Sequence, residues 1–144
     1  MADFLGLTQG HCAVPFSILG PKQVKTKTNV TLWIPEAVKA TLYCSVHKKK
    51  LVQLKSQESG VFVGEFKSPK EADFTYEVHA EFASGEHRFI DPYQFQSEAY
   101  HAVHFVDHQP ENLYQQIGAQ LVESKGVQGV RFAVFAPNAS SVSL

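Results

Sequence analysis

Three histidines, His101, His104 and His108, recur at intervals of three and four, the spacing that would set them on one helical face as metal ligands. No Cys or Glu completes a ligand set there, Asp107 is out of phase, and Val103, Phe105 and Val106 suit an extended connector. They read as linker histidines, with no metal or cofactor expected. Cys44 beside His11, His47 or His79 would offer the thiol–imidazole pair of nucleophilic catalysis. Cys44, however, falls on the apolar phase of its segment, where a free thiol behaves as a small hydrophobe. Asp91, ahead of Pro92-Tyr93, supplies a single carboxylate, whereas retaining glycosidase chemistry needs two held roughly 5 Å apart. It reads as a turn residue, and no catalytic residue is assigned.

Trp33 and Tyr43 are the residues whose chemistry suits binding. Each lies on the phase opposite to the apolar positions of its segment, so each ring is expected to face outward. An exposed aromatic ring matches the flat C–H face of a sugar, with its polar rim left for hydroxyls. If the two strands are neighbours in one sheet, the rings share one outer surface. The competing reading is that a short helix at residues 3 to 8 or a neighbouring module covers them. Lys48-Lys49-Lys50 reads as a solvated hairpin turn whose charge discourages edge pairing.

The elements that position these residues have a period of two. Val30, Leu32 and Ile34 alternate with Thr31 and Trp33; Leu42, Cys44 and Val46 with Thr41, Tyr43 and Ser45; Phe74, Tyr76, Val78, Ala80 and Phe82 with Thr75, Glu77, His79 and Glu81. Turn signals at Pro35, His47 to Lys50, Glu58-Ser59-Gly60, Ser68-Pro69 and Ser84-Gly85 punctuate them. The fold class expected is all-β, with one complete immunoglobulin-like β-sandwich at about residues 20 to 96. Asp3 is placed as the cap of a short helix carrying Phe4, Leu5 and Leu7 and ended by Gly10.

From Ser97 the alternation lapses, and Pro110 to Gln116 reads as a short helix with Pro at its first position, which Gly118 would end. Gln120 to Val122 is then expected to pair with Val130 to Phe135 across a Lys125-Gly126 turn. Pro137-Asn138 is a further turn, and Val142 and Leu144 open another alternation. The domains expected are 1–96, an amino-terminal sandwich; 97–118, a linker with a short helix; and 119–144, the start of a second sandwich. Because a lone strand pair buries too little surface to be stable, the chain is expected to be a fragment.

Composition narrows the partners. Thirteen Lys and Arg against fourteen Asp and Glu leave a net charge of −1, so nothing favours nucleic acid or an anionic membrane. A length of 144 residues is too short for a (β/α)₈ barrel of about 250. Two cysteines without CxxC spacing and a beginning without a basic, apolar leader point to a cytoplasmic protein with reduced thiols. No stretch approaches the roughly 18 apolar residues of a membrane span.

Gly129-Val130-Arg131-Phe132-Ala133-Val134-Phe135-Ala136-Pro137-Asn138-Ala139, followed by Val142-Ser143-Leu144, resembles the opening of the carbohydrate-binding sandwich that precedes the catalytic barrel of bacterial glycogen branching enzymes. Gly10-His11 and Pro15-Phe16-Ser17-Ile18-Leu19-Gly20 resemble the start of the extra amino-terminal sandwich of those enzymes. Gly60-Val61-Phe62-Val63-Gly64 and Ile90-Asp91-Pro92-Tyr93-Gln94-Phe95 are similar to segments found between the two. The chain departs from the pattern at Val14, where Asp is frequent, at Gln120, where His is, and at Phe135, where Trp is.

The resemblance implies an enzyme that cleaves an α-1,4 glucan, holds it covalently on an Asp and transfers it to a 6-hydroxyl with a Glu as acid/base. Those carboxylates belong to a barrel outside this chain, so the segment would bind or space the glucan donor without catalysing. The partners implied are α-glucan (glycogen, amylose, maltooligosaccharides) and the catalytic barrel of the same full-length chain. The alternatives are the amino-terminal module of a debranching enzyme or trehalohydrolase, or a non-catalytic immunoglobulin-like interaction domain.

Overall fold

Two antiparallel sheets grow directly from the alternating segments. The structure, a computed structural model, describes residues 4–12, 14–71, 74–95, 117–134, 136 and 138–142. The chain divides into two compact units, residues 1–96 and 97–144. In the first, a short helix α1 (Phe4–Thr8) and a 3₁₀ turn (Pro15–Ser17) precede β1 (Gly20–Val24), β2 (Lys27–Trp33), β3 (Lys39–Cys44), β4 (Lys50–Gln53) and β5 (Lys55–Ser56). After a second tight turn (Glu58–Gly60) come β6 (Val61–Lys67), β7 (Tyr76–Phe82), β8 (Gly85–Ile90) and a last 3₁₀ turn (Pro92–Phe95). The order is β1-β2-β6-β5 in one sheet and β4-β3-β7-β8 in the other, with every pairing antiparallel.

The sheets meet through the phase the sequence set aside as apolar. Val30, Leu32, Phe62 and Phe66 from the first sheet pack with Ala40, Leu42, Tyr76, Val78 and Ala80 from the second in one buried cluster. Non-directional burial of this kind supplies the main drive for the fold. The unit is therefore an all-β sandwich with a short amino-terminal helix.

Between β2 and β3 the chain crosses from one sheet to the other. Glu36 takes a positive φ of 66° in that connection, and the Ile34 N–H donates to the Gly60 carbonyl at 2.8 Å. Gly60 has φ +76°, and a Cβ there would stand 2.8 Å from the Pro35 Cα. Only glycine fits so close an approach in that conformation.

The far end is held by polar groups. Tyr76, buried, donates its hydroxyl to Asp91, itself only 2% exposed. The Tyr93 N–H donates to Asp91 Oδ1 at 2.9 Å. Gln94 completes the set: its Nε2 donates to the Tyr76 carbonyl and its Oε1 accepts from the Tyr76 N–H, both at 3.0 Å. Tyr93 then carries the turn to the first sheet, with its ring edge-on to Phe16 at 4.8 Å and its backbone against Gly20. A Cβ on Gly20 (φ +84°) would lie 2.5 Å from the Tyr93 carbonyl oxygen. Asp91 is thus the turn residue expected, with a structural role.

The second unit holds β9 (Gly118–Ser124) and β10 (Val127–Ala133), paired so that Leu121 faces Val130 across the Lys125–Gly126 turn. Leu121, Val130 and Phe132 are exposed. Gly118 opens a strand here, with φ 84°; the helix it was expected to end, the Asp3 cap, His101, His104, His108 and most of the 97–118 linker lie outside the described residues. Strand expectations fail at two ends: β7 begins only at Tyr76, and Thr75, placed on the polar phase, is 3% exposed ahead of it. Val46 is 69% exposed, because β3 ends at Cys44, where the Lys48 N–H donates to the Cys44 carbonyl at 2.9 Å and closes a tight turn. Among the described residues no helix is long and apolar enough to cross a membrane.

Two measurements test this architecture. Amides of Leu42 to Cys44 and Tyr76 to Phe82 should exchange far more slowly than those of β9 and β10, whose apolar side chains remain exposed; equal protection of Val78 and Phe132 would contradict it. Asp91 gives a pH signature. Burial pushes its carboxyl above the ordinary value, against the opposing hydrogen bonds from Tyr76 and Tyr93. A group raised in this way binds its proton more tightly folded than unfolded. Its contribution is complete below the unfolded value of about 3.9 and is lost as the pH rises through the folded one. Compared with Asp91→Asn, which does not titrate, the unsubstituted protein should gain stability as the pH falls from about 7 to about 4. Urea midpoints of the two proteins across that range measure it, and a constant difference would contradict the assignment.

Candidate functional site

Trp33 closes β2 on its outward phase and pairs with Val61 of β6. Its indole Nε1–H donates to the Ser59 carbonyl at 3.1 Å, which fixes the ring while leaving the residue 40% exposed. Ser59 takes φ 58° in the tight turn that presents this carbonyl. Beside the turn lies an open cavity of about 220 Å³ lined by Phe4, Leu5, Thr8, Gln57, Glu58 and Ser59. Val61 shares the outward phase of Trp33 yet is fully buried, and Leu7 of α1 is 5% exposed. The helix borders the Glu58–Gly60 turn and leaves the indole partly exposed. The result is an anchored aromatic face with a hydroxyl, an amide and a carboxylate within the same neighbourhood.

Tyr43 occupies the outward phase of β3, opposite Glu77 of β7 and Lys50 of β4. Its ring stacks on the His79 imidazole, with centroids 4.2 Å apart and planes inclined by 30°. Charged residues surround the pair. Lys48 Nζ lies 2.9 Å from Glu77, Arg88 Nε lies 2.6 Å from Glu86, and Lys39 is paired with Glu81. His79 stands between carboxylates, 3.3 Å from Glu77 and 3.7 Å from Glu86. The hydrogen bond from Lys48 holds the Glu77 carboxyl below its ordinary range, and that from Arg88 does the same for Glu86.

The two rings lie in different sheets, β2 in the first and β3 in the second. The shared surface that neighbouring strands would have produced therefore does not exist, because the chain changes sheet at Pro35 to Val38. The outward phase of both rings is as expected; the face each one belongs to is not. His79 and Arg88 were not singled out as partners of Tyr43. They sit on the polar phase of β7 and β8, but only the register Thr41–His79–Arg88 brings them beside that ring.

The other candidates resolve into packing. Cys44 is buried and free, and Cys12 is free and half-buried. Lys48 and Lys49 are exposed on their turn, as expected. Among the described residues no group of three or more His, Cys, Asp or Glu is arranged to hold a metal ion. Trp33→Ala should cost about 2 to 3 kcal/mol, since one hydrogen bond and the buried part of a partly exposed ring are lost. Chemical unfolding followed by circular dichroism measures it, and a loss above about 4 kcal/mol would mark Trp33 as a packing residue instead.

Residues 2–93 match the family described as alpha-1,4-glucan branching enzyme GlgB, N-terminal domain. Among curated relatives, 1,4-alpha-glucan branching enzyme GlgB of Pseudoalteromonas atlantica is 43% identical over 145 aligned residues, covering 96% of this chain and 20% of that enzyme. The enzymes of the same name from Aliivibrio fischeri and Vibrio cholerae are each 34% identical, covering 90% and 96% of this chain and 18% and 19% of their own lengths. The chain thus spans about a fifth of the length of the relatives it matches. The segments at Pro15 to Gly20, Gly60 to Gly64 and Ile90 to Phe95 fall on the positions where the sandwich is tied together, and with the match over residues 2–93 the chain belongs to the family of bacterial glucan branching enzyme N-terminal domains.

Proposed function

We propose that this chain is the amino-terminal segment of a 1,4-α-glucan branching enzyme, cytoplasmic, whose catalytic barrel transfers α-1,4-glucan segments to 6-hydroxyls and forms α-1,6 branches. The family match over residues 2–93, with relatives aligned across almost the whole chain and all bearing that name, carries the reading. Residues 1–96 form the amino-terminal sandwich module, 97–118 the linker, and 119–144 the first strands of a carbohydrate-binding sandwich. The module acts by binding and spacing the donor glucan for the barrel. Trp33 and Tyr43 are its sugar-contacting rings, supported by their outward phase and by the anchoring of each through Ser59 and His79.

No covalent chemistry is assigned to this segment. Among the described residues the one fully buried carboxyl, Asp91, is committed to Tyr76 and Tyr93, and a carboxyl so enclosed cannot meet a sugar.

Two experiments test the proposal. Incubated with amylose, the 144-residue chain should form no branch points, and branching by a preparation free of full-length enzyme would overturn the non-catalytic role. Titration with maltoheptaose should change the fluorescence of Trp33, the sole tryptophan, with modest affinity, because an open surface must still offset the cost of association. Chelators should not alter that titration. An unchanged spectrum at millimolar maltoheptaose would remove Trp33 from the binding surface.

A further inference from the structure

The open cavity next to the Trp33 anchor has two kinds of wall. From α1 it takes Phe4 and Leu5, and Leu5 is left 64% exposed while Leu7 of the same helix is buried. From the chain entering the Glu58–Gly60 turn it takes the Gln57 amide and the Glu58 carboxylate, both on exposed residues. Among the described residues neither of these two side chains has a hydrogen-bond or ion-pair partner. Thr8 adds a hydroxyl that donates to the Leu5 carbonyl at 3.2 Å and keeps lone pairs free to accept. The lining thus holds one carboxylate and no cation.

Size and chemistry restrict the occupant. At about 220 Å³ the cavity is smaller than the roughly 300 Å³ at which pockets for drug-sized ligands begin, which leaves room for one small ring. Apolar side chains combined with unpaired donors and acceptors match a pyranose, whose C–H face is flat and whose edge carries hydroxyls. A carboxylate without a neighbouring cation accepts from hydroxyls and repels an anion. The cavity is also joined to the indole, because Ser59, which lines it, holds the Trp33 Nε1–H on its carbonyl. We propose that this cavity is a subsite for a single glucose unit of a glucan bound at Trp33, with Gln57 and Glu58 as its specificity-determining residues, selecting a neutral sugar over a sugar phosphate. The proposal rests on the glucan-binding reading of Trp33 above and deepens it.

The test is nuclear magnetic resonance on the 144-residue chain, with maltoheptaose as one probe and glucose 1-phosphate as the other. Maltoheptaose should move the Leu5 and Thr8 methyl signals and the Gln57 side-chain amide together with the Trp33 indole N–H, all along one binding curve. Glucose 1-phosphate should move none of them. Glu58→Ala and Gln57→Ala should each weaken maltoheptaose by about three- to tenfold, the equivalent of one solvent-accessible hydrogen bond, with the melting temperature unchanged because both residues are exposed. A moved indole signal, with fixed cavity signals and full affinity in both variants, would overturn the subsite and leave the glucan-binding reading intact. Equally tight binding of glucose 1-phosphate would overturn the selective role of Glu58. If maltoheptaose moves none of these signals, the subsite and the Trp33 reading fall together.

Discussion

A buried Tyr–Asp hydrogen bond is a demanding thing to place in a sandwich, since a carboxyl that is 2% exposed must be fully satisfied or it destabilises the fold around it. Asp91 meets that condition only if two elements arrive together. β7 brings the Tyr76 hydroxyl, the Pro92–Phe95 turn bends the Tyr93 N–H back onto the carboxylate, and Gln94 caps the Tyr76 backbone. Because Tyr93 then packs on Phe16 and Gly20, the same constraint fixes where the amino-terminal motif meets the sandwich. The ends of the unit, far apart in sequence, become one structural feature. Removing the carboxyl would leave the Tyr76 hydroxyl buried without its partner, the costlier side of hydrogen-bond energetics.

Much of the sandwich was legible in the sequence. The inward phases of β2, β3 and β7 follow from Val30, Leu32, Leu42, Val78 and Ala80, because period-two alternation reports directly which side chains a sheet buries. Turns at Pro35, Gly60 and Gly85 were legible for a similar reason, since Pro and Gly restrict or relax φ locally. The role of Asp91 was visible only as a turn residue. Nothing in Asp-Pro-Tyr-Gln announces that Gln94 will reach Tyr76, because that contact spans 18 positions and depends on the docking of two elements. Val46 failed on local grounds: the alternation continues through it, but a hydrogen-bonded turn between Cys44 and Lys48 competes and wins.

The candidate site divides along the same line. Outward phase is a property of one strand and was readable for Trp33 and Tyr43. Sheet membership is a property of pairing. β2 chose β6 and β3 chose β7, both long-range partners, and no local signal in either strand distinguishes that outcome from a simple β2–β3 hairpin. The intervening residues do carry a trace of it, since Pro35 and the positive φ of Glu36 give a connection longer and less regular than a two-residue hairpin turn.

That crossing has a structural consequence of its own. Residues 33 and 43 each lie on the outward phase of their strand, so as neighbours in one sheet they would face the same solvent. By switching sheets between them, the chain turns one amphipathic pattern into two outward surfaces with different chemistry. The first is an indole pinned by a carbonyl beside a small cavity; the second is a Tyr–His pair stacked ring on ring inside a lattice of opposite charges. The lattice keeps the second surface polar enough to remain exposed without inviting edge or face association, since paired opposite charges across strands disfavour unspecific apolar contact.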